Sequence, residues 1–283
     1  MRRLRQQSAM EYLTTYGWAI LIIAVVLVAM FQLGVFGGSN TKPYTTAGAC
    51  QVLRTVQGVN LEGLCNNVPP QFVAQMNGAS SFIKMTNVPA LDSVNAITVA
   101  AWIKITGSGQ ETVVSLDGET GGVQTFVYAG GNFAIWNSGG TLLTTKPVND
   151  NNWHFVVGTW QPGVGRIAYV DGVQVGSGAV ASITAATHDN QIGTQCGAAN
   201  SVNCNAFLNG QIANVQVYNT SLSQSEVQAL YLKGIGGAPV DPTHLVGWWP
   251  LNGNAQDYSG LGYGGTPAGV SYNSTWALSY TPP

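Results

Sequence analysis

The sequence predicts a mainly β protein, an antiparallel sandwich, preceded by one long hydrophobic α-helix. Three observations lead to this fold class. Gly17 to Phe36 is a run of 20 residues in which Gln32 is the only strongly polar one. Beyond about residue 49, strand patterns alternate with turn signals at short intervals. The composition, with 36 glycines and 8% charged residues, is typical of turn-dense β structure with an uncharged polar surface. In ordinary soluble proteins about 25% of the residues are charged.

Charge excludes one class of partner. The formal net charge is −2 at pH 7, and only six Lys or Arg residues follow Pro43. Affinity for phosphate backbones requires clustered cations. We therefore expect no nucleic acid as a partner.

The sandwich begins with clear strand signals. The segment NAITVAAWIKI (95–105) places Ile97, Val99 and Ile103 on one face and Trp102 on the other. This period of two predicts a half-buried strand. Other tryptophans inside regular strand patterns, Trp153 and Trp160, are predicted to be core residues.

Turns and one short helix are marked by their own residues. Gly130-Gly131 and Asp171-Gly172 separate strand-like runs and accept the positive φ that tight hairpins need. SQSEVQALYLKG predicts a helix with Ser223 and Glu226 at capping-box spacing and Gly234 as its end.

The four cysteines form two local couples, Cys50 with Cys65 and Cys196 with Cys204. The even count, the short spacings and the export-like N-terminus favour two disulfides in an oxidising location. The alternative is a metal site, which would need CxxC-type spacing and histidine partners.

A family resemblance follows from the order of these motifs. MNGASSFIKMTNVPALDSVNAITVAAWIKI, then NNWHFVVGTW, IAYVDGVQVGS and FLNGQIANVQVYNTSLSQSEVQALY, resembles the laminin-G-like, concanavalin-A-like jelly-roll family. The match runs from about Gln75 to Tyr231. It implies an antiparallel jelly-roll sandwich.

The C-terminal segment HLVGWWPLNGNAQDYSGLGYGGTPAGVSY (244–272) is similar to the start of such a domain, yet it comes last. A circular permutation is predicted, because the first and last strands of this fold are neighbours. This permutation predicts that the strand at 245–251 packs beside strands from the 75–85 or 207–218 regions. A truncated second domain is the alternative.

Members of this family often bind calcium or sugars. Asn77-Gly78 and Asn214 stand where relatives often carry carboxylates, which Ca²⁺ prefers. Loss of the calcium site is therefore favoured, with a weak Ca²⁺ site as the alternative and no metal ligands assigned. Sugar binding needs an exposed aromatic ring and amides, so Trp136, Asn137 and the Asn-rich loop between the second cysteine couple are the candidates.

Catalysis is not expected. His154, His188 and His244 show neither metal-ligand spacing nor a nucleophile motif. The acidic residues of LDGETGG and VDGV lie in turn contexts, where they serve backbone geometry. Carboxylate pairs that form only in space are not excluded by the sequence.

The N-terminal segment QQSAMEYLTTYGWAILIIAVVLVAMF resembles the class III signal sequence and helix of archaeal type IV pilin-like proteins. The resemblance implies that a prepilin peptidase cuts between Gln6 and Gln7, which makes Glu11 the fifth residue of the mature chain. Glu11 would then pair with the new α-amino group of a neighbouring subunit in a homo-oligomeric filament. Alternatively, Glu11 only complements the helix dipole.

This resemblance divides the chain into four segments. They are a leader at 1–6, a hydrophobic pilin-like or transmembrane helix at 7–38, a hinge at 39–48 and a laminin-G-like jelly-roll domain at 49–283. The helix holds the subunit in the membrane before assembly, and the jelly roll is then displayed at the cell surface. The sequons at Asn219 and Asn273 fit a glycosylated exported domain.

The sequence therefore predicts a non-enzymatic, pilin-like surface subunit that displays a lectin-like domain for adhesion, with a glycan or another cell-surface molecule as its ligand. One alternative is a membrane-anchored lectin that does not polymerise. Another is a secreted carbohydrate-active enzyme or binding module.

Overall fold

The computed structural model describes residues 16–28, 44–85, 88–91, 94–116, 122–183, 190–196 and 203–283. The chain divides into two compact units, with the boundary between Pro43 and Tyr44. In the first unit, residues 16–28 form helix α1, whose side chains are exposed.

Gln6, Gln7 and Glu11, which the sequence analysis names in the N-terminal segment, lie outside the described residues. So do residues 7–15 and 29–38 of the predicted helix. Within the described ranges, no helix has both the length and the apolar character needed to cross a bilayer.

The described part of the second unit contains nineteen strands and one α-helix. In chain order the strands are β1 (Cys50–Thr55), β2 (Gly58–Gly63), β3 (Val73–Asn77), β4 (Phe82–Met85), β5 (Ile97–Ile105), β6 (Glu111–Leu116), β7 (Val123–Val127), β8 (Asn132–Asn137), β9 (Gly140–Pro147), β10 (His154–Gln161), β11 (Gly165–Val170), β12 (Val173–Gly178), β13 (Asn190–Ile192), β14 (Gln195–Cys196), β15 (Cys204–Asn205), β16 (Asn209–Tyr218), β17 (Leu245–Trp249), β18 (Gly265–Ala268) and β19 (Ser271–Asn273). Helix α2 spans Gln224–Leu232.

Two antiparallel sheets form a sandwich, which confirms the predicted fold class. The eight-stranded sheet has the order β12-β11-β10-β5-β16-β3-β19, with β17 also paired to β16. The seven-stranded sheet has the order β18-β4-β13-β6-β7-β8-β9. Apolar side chains from both sheets, such as Ile103 of β5 and Ile135 of β8, fill the space between them.

A second hydrophobic cluster includes residues of the eight-stranded sheet, helix α2 and strand β1. Trp102 of β5 belongs to it and packs against Phe155 and Tyr231, with ring centroids 5.3 and 5.8 Å apart. The prediction that strand 95–105 is half-buried was therefore wrong, because these elements also bury its second face. The predicted core positions of Trp153 and Trp160 are confirmed.

The C-terminal segment completes the same sandwich. Strand β17 pairs antiparallel with β16, where Trp249 lies opposite Val215. Strand β18 pairs with β4 and β19 with β3. The predicted place of 245–251 beside 207–218 is confirmed, and the segment is not the start of a separate domain.

The predicted turns, helix cap and disulfides are also confirmed. Gly130-Gly131 and Asp171-Gly172 adopt positive φ at the β7–β8 and β11–β12 turns. Ser223 and Glu226 form the capping box of α2. Both predicted cysteine pairs are disulfide-bonded.

The folded sandwich begins inside the segment that the sequence predicts as a hinge. The backbone N–H of Thr45 donates a hydrogen bond to Pro69 O at 2.8 Å, and its hydroxyl donates to Val68 O at 3.0 Å. These bonds attach residues 44–48 to the sandwich.

Candidate functional site

One row of side chains crosses the outer face of the seven-stranded sheet. Its members face away from the interior, because their neighbours along each strand, such as Ile83, Ile192 and Ile135, belong to the core. The strand register places seven residues in line: Thr266, Lys84, Gln191, Ser115, Gln124, Trp136 and Thr141.

A cleft of about 360 Å³ lies over one end of this row. Its lining combines amides, a hydroxyl and aromatic rings. The lining residues are Gln110, Gln124, Gln195, Thr141, Phe126, Tyr128 and Trp136. Clefts of about 300–1,000 Å³ with a few placed polar groups are typical of small-ligand sites.

Strand periodicity explains how so many of these residues share one surface. Gln124, Phe126 and Tyr128 are alternate residues along β7 and its end, so their side chains project to the same side. The Gly130-Gly131 turn then returns the chain so that Trp136 of β8 lies opposite Gln124.

Several polar groups of the cleft are available to a ligand. The side chains of Gln110, Gln195 and Thr141 make no hydrogen bond with any described residue. Gln124 is buried, and its Nε2 donates to Ser115 Oγ at 3.3 Å. This bond fixes the orientation of the Gln124 amide in the floor of the cleft.

The three aromatic rings are exposed to different degrees. Phe126 is 3% exposed and belongs to the floor, whereas Tyr128 is 41% exposed. Their ring centroids are 6.2 Å apart with an interplanar angle of 56°. Trp136 is half-buried. Tyr128 and Trp136 thus offer ring surface from which a ligand can displace water.

The described lining of the cleft has no Asp, Glu, Lys, Arg or His side chain. The acidic residue next to Gln110 in sequence, Glu111, lies on the opposite face of the sheet, and its Oε2 accepts a hydrogen bond from Asn209 N at 2.8 Å. Burial raises the pKa of the Glu111 carboxyl. The described lining therefore offers hydrogen bonding and stacking, and no pair of carboxylates for acid–base chemistry.

The structure separates the two residues predicted for sugar binding. Trp136 lines the cleft, but Asn137 is 1% exposed and points to the other side of the sheet. Its Oδ1 accepts a hydrogen bond from Arg166 Nη1 at 2.6 Å, and its Nδ2 donates to Ser182 O at 3.4 Å. The expectation for Asn137 was wrong, because adjacent strand residues face opposite ways.

The Asn-rich loop between Cys196 and Cys204 was the other candidate. Its residues 197–202 lie outside the described residues. The flanking strands β14 and β15 pair with each other, and their cysteines are disulfide-bonded. Gln195, which precedes the first of these cysteines, lines the cleft.

Two asparagines, which the resemblance compares with calcium-binding carboxylates of relatives, use their side-chain oxygens within the protein. Asn77 Oδ1 accepts hydrogen bonds from the backbone N–H groups of residues 79–81 at 2.9–3.0 Å. Asn214 Oδ1 accepts from Trp248 Nε1 at 2.8 Å and Gln216 Nε2 at 3.0 Å. In the described ranges, no group of three His, Cys, Asp or Glu residues is placed to hold a metal ion.

A cluster that the sequence did not reveal surrounds His154. Its Nδ1 lies 2.8 Å from Asp171 Oδ2 and its Nε2 lies 3.0 Å from Asp150 Oδ1. Burial opposes protonation of the imidazole, but the two carboxylates outweigh it and raise the pKa of His154. Both ring nitrogens of His154 are therefore paired within the protein.

The two sequons differ in their surroundings. Asn219 is exposed at the end of β16. Asn273 is half-buried, and its Oδ1 accepts hydrogen bonds from the N–H and the hydroxyl of Thr275 at 2.7 and 2.9 Å.

Solved structures show the same fold at low sequence identity. A Bacteroides ovatus protein, provisionally described as carbohydrate-binding, matches with a TM-score of 0.58 and 16% identity, covering 78% of this chain and 65% of that one. This chain thus spans just under two thirds of that protein. The SAP-like pentraxin of Limulus polyphemus matches with a TM-score of 0.54 and 15% identity, covering 71% of this chain and 94% of the pentraxin.

Comparison with curated protein sequences finds no match. Comparison with protein families finds one, over residues 77–228. This stretch is more than half of the 283-residue chain and contains every residue of the cleft. The chain therefore belongs to the laminin G family Laminin_G_3 of the concanavalin A-like lectin/glucanases superfamily.

Proposed function

We propose that this lectin-like sandwich binds glycans through the cleft over β7, β8 and β9, and that the protein is a non-enzymatic, pilin-like subunit of the cell surface. The lining of the cleft carries the proposal. A sugar ring has an apolar face, which stacks on an aromatic ring such as Trp136 or Tyr128. Its hydroxyls both donate and accept hydrogen bonds, as the amides of Gln110 and Gln195 do.

A non-enzymatic role is supported by the same lining. Glycoside hydrolysis generally needs two carboxyl groups flanking the scissile bond, and the described lining supplies none. A secreted carbohydrate-active enzyme is the competing function. Incubating the protein with any glycan that it binds and searching for shortened products distinguishes the two.

The N-terminal part of the proposal rests on the sequence. We propose cleavage between Gln6 and Gln7 by a prepilin peptidase, membrane insertion through the apolar run from Gly17 to Phe36, and pairing of Glu11 with the α-amino group of a neighbouring subunit. A run of 20 residues spans about 30 Å as a helix, the thickness of a bilayer's hydrocarbon core. An unpaired carboxylate in such surroundings is costly, so the pairing fixes the register of a filament.

A glycan array tests the binding role. The wild-type protein, purified in detergent, should bind a defined subset of glycans, and Trp136→Ala should lose that binding. Tyr44→Ala is the control, because Tyr44 is 41% exposed and does not line the cleft. Retention of the same glycans by Trp136→Ala would place their site elsewhere.

Mass spectrometry and electron microscopy test the N-terminal role. The mature chain should start at Gln7, and Glu11→Ala should insert into membranes without forming filaments. Glu62→Ala, which changes an exposed acid in strand β2, should assemble normally. Filaments formed by Glu11→Ala would contradict the proposed pairing of Glu11. A wild-type protein that inserts into membranes and forms no filaments would favour an anchored lectin whose helix is only a membrane span.

A further inference from the structure

We infer that the cleft holds a neutral oligosaccharide of at least two sugar rings, lying along the strands between two aromatic subsites. This inference rests on the proposed glycan binding and specifies its ligand class. The first subsite consists of Trp136, Gln124 and Thr141. The second consists of Tyr128 and Gln110.

Strand register defines the first subsite. Gln124 of β7 lies opposite Trp136 of β8, and Trp136 lies opposite Thr141 of β9. One aromatic ring, one amide and one hydroxyl therefore lie side by side on three adjacent strands. All three side chains line the cleft.

The second subsite lies four residues further along β7. Glu111 is paired with Val127, so the preceding Gln110 lies beside Tyr128 across the two strands. The Tyr128 ring is 41% exposed, and the Gln110 side chain has no described partner. This end of the cleft thus repeats the combination of a ring and an amide.

The distance between the subsites sets the size of the ligand. Four residues of a β-strand span about 13 Å, which exceeds the length of one six-membered sugar ring. Phe126 lies between the two subsites, and its buried ring provides an apolar floor. A single sugar contacts one subsite, whereas a short linear oligosaccharide reaches both.

The uncharged lining sets the chemical class. Stacking and amide hydrogen bonds need no charge on the ligand, and the described lining offers no cation to pair with a uronate or a sulfate. Binding through such contacts depends little on ionic strength, unlike binding through exposed ion pairs. The expected ligands are therefore neutral glycans.

Calorimetric titration of the full chain in detergent tests this inference. The probes are glucose, mannose and galactose, their linear homo-oligomers of two to four rings, and uronic-acid and sulfated oligomers of equal length. Affinity for the matching neutral series should rise at least tenfold between one and three rings. It should change less than twofold between 50 and 500 mM NaCl.

Tyr128→Ala and Trp136→Ala separate the two subsites, and two further variants are controls. Tyr128→Ala should lower the affinity for the longest neutral probe about tenfold and return it towards that of the single sugar, while Tyr128→Phe should retain stacking and affinity. Trp136→Ala should weaken binding of every probe. Tyr44→Ala, which has the same residue type and exposed fraction as Tyr128, should bind as the wild type does.

The contrary outcomes are distinct. Equal affinity for one and three rings, with no effect of Tyr128→Ala, would overturn the two-subsite arrangement and leave glycan binding at Trp136 intact. Salt-sensitive preference for the acidic probes would overturn the neutral ligand class alone. If the wild type binds neither these probes nor any glycan of the array, the proposed function fails, and this inference fails with it.

Discussion

Trp136 and Asn137 are adjacent in sequence but lie on opposite faces of the seven-stranded sheet. The Trp136 ring lines the cleft, and the Asn137 amide is buried against Arg166 of the other sheet, 2.6 Å from its Nη1. One residue therefore belongs to the candidate site, and its neighbour connects the two sheets.

Substituting these neighbours one at a time should separate binding from stability. Asn137→Ala leaves the buried Arg166 guanidinium without this acceptor, and it should lower the free energy of unfolding by about 2–3 kcal/mol, since hydrogen bonds to charged groups contribute about 1.5–3 kcal/mol. It should retain glycan affinity. Trp136→Ala should lose glycan affinity and change the free energy of unfolding by about 1 kcal/mol or less. Guanidinium denaturation and titration of both variants measure this, and loss of binding without loss of stability in Asn137→Ala would contradict it.

The His154 cluster should make stability depend on pH in two windows. The raised pKa of His154 stabilises the fold fully below the unfolded value of about 6.5, and this contribution is lost as the pH rises through the folded pKa. The pKa of Asp150 is lowered to about 2. Its contribution is present above about pH 3.9 and is lost as the pH falls towards 2.

Urea denaturation midpoints between pH 2 and 9 measure this profile. His154→Gln should reduce the decline above pH 6.5, because its side chain does not titrate. His244→Gln is the control, since the imidazole of His244 is half exposed. An unchanged alkaline decline in His154→Gln would show that other groups cause it.

The two disulfides should differ in their effect on binding. Chain-entropy arguments give about 3 kcal/mol for the Cys50–Cys65 bond, with a separation of 15 residues, and about 2.5 kcal/mol for Cys196–Cys204, with a separation of 8. Only the second bond adjoins a cleft residue, Gln195. The double variant Cys196→Ser/Cys204→Ser should therefore lose both stability and glycan affinity.

The double variant Cys50→Ser/Cys65→Ser is the matched control and should lose stability alone. Thermal denaturation and calorimetric titration of both double variants provide the comparison. Equal loss of affinity in the two would mean that the second disulfide has no particular role at the cleft.

The cap of α2 gives a local stability prediction. The Ser223 hydroxyl accepts a hydrogen bond from Glu226 N at 3.4 Å, and Glu226 Oε2 accepts from Ser223 N at 2.8 Å. Ser223→Ala removes one half of this exchange and should lower the free energy of unfolding by about 1 kcal/mol. Ser225→Ala, two residues further along in the first turn of α2, should change it by less than half as much in the same denaturation experiment.

Short-range patterns predicted most local features of the sandwich. The positive φ at Gly130-Gly131, the capping box at Ser223 and the two cysteine pairs each depend on residues close in sequence. Burial of both faces of β5 was not predictable in this way. It results from helix α2 and the C-terminal segment, which are distant in the chain and whose Tyr231 and Tyr280 rings lie 5.8 and 5.7 Å from the Trp102 ring.

The cleft was only partly predictable. The alternation in VQTFVYAGGNFAIWN contains the signal that Gln124, Phe126 and Tyr128 share a face, and it was available from the sequence. Thr141 lies opposite Trp136 through the short turn between β8 and β9, which is a local feature. Gln195 comes from β14, whose place beside β6 depends on contacts between segments far apart in the chain. The same holds for Asp171, which approaches His154 through the pairing of β10 with β11.

Photo-crosslinking with a diazirine-bearing neutral oligosaccharide, followed by tandem mass spectrometry of the adduct, shows directly where a glycan sits on the full chain. We expect saturable labelling within residues 124–141 and at Gln195, competed by the unmodified sugar and lost in Trp136→Ala. Saturable labelling confined to any other surface, or none at all, would contradict glycan binding in this cleft.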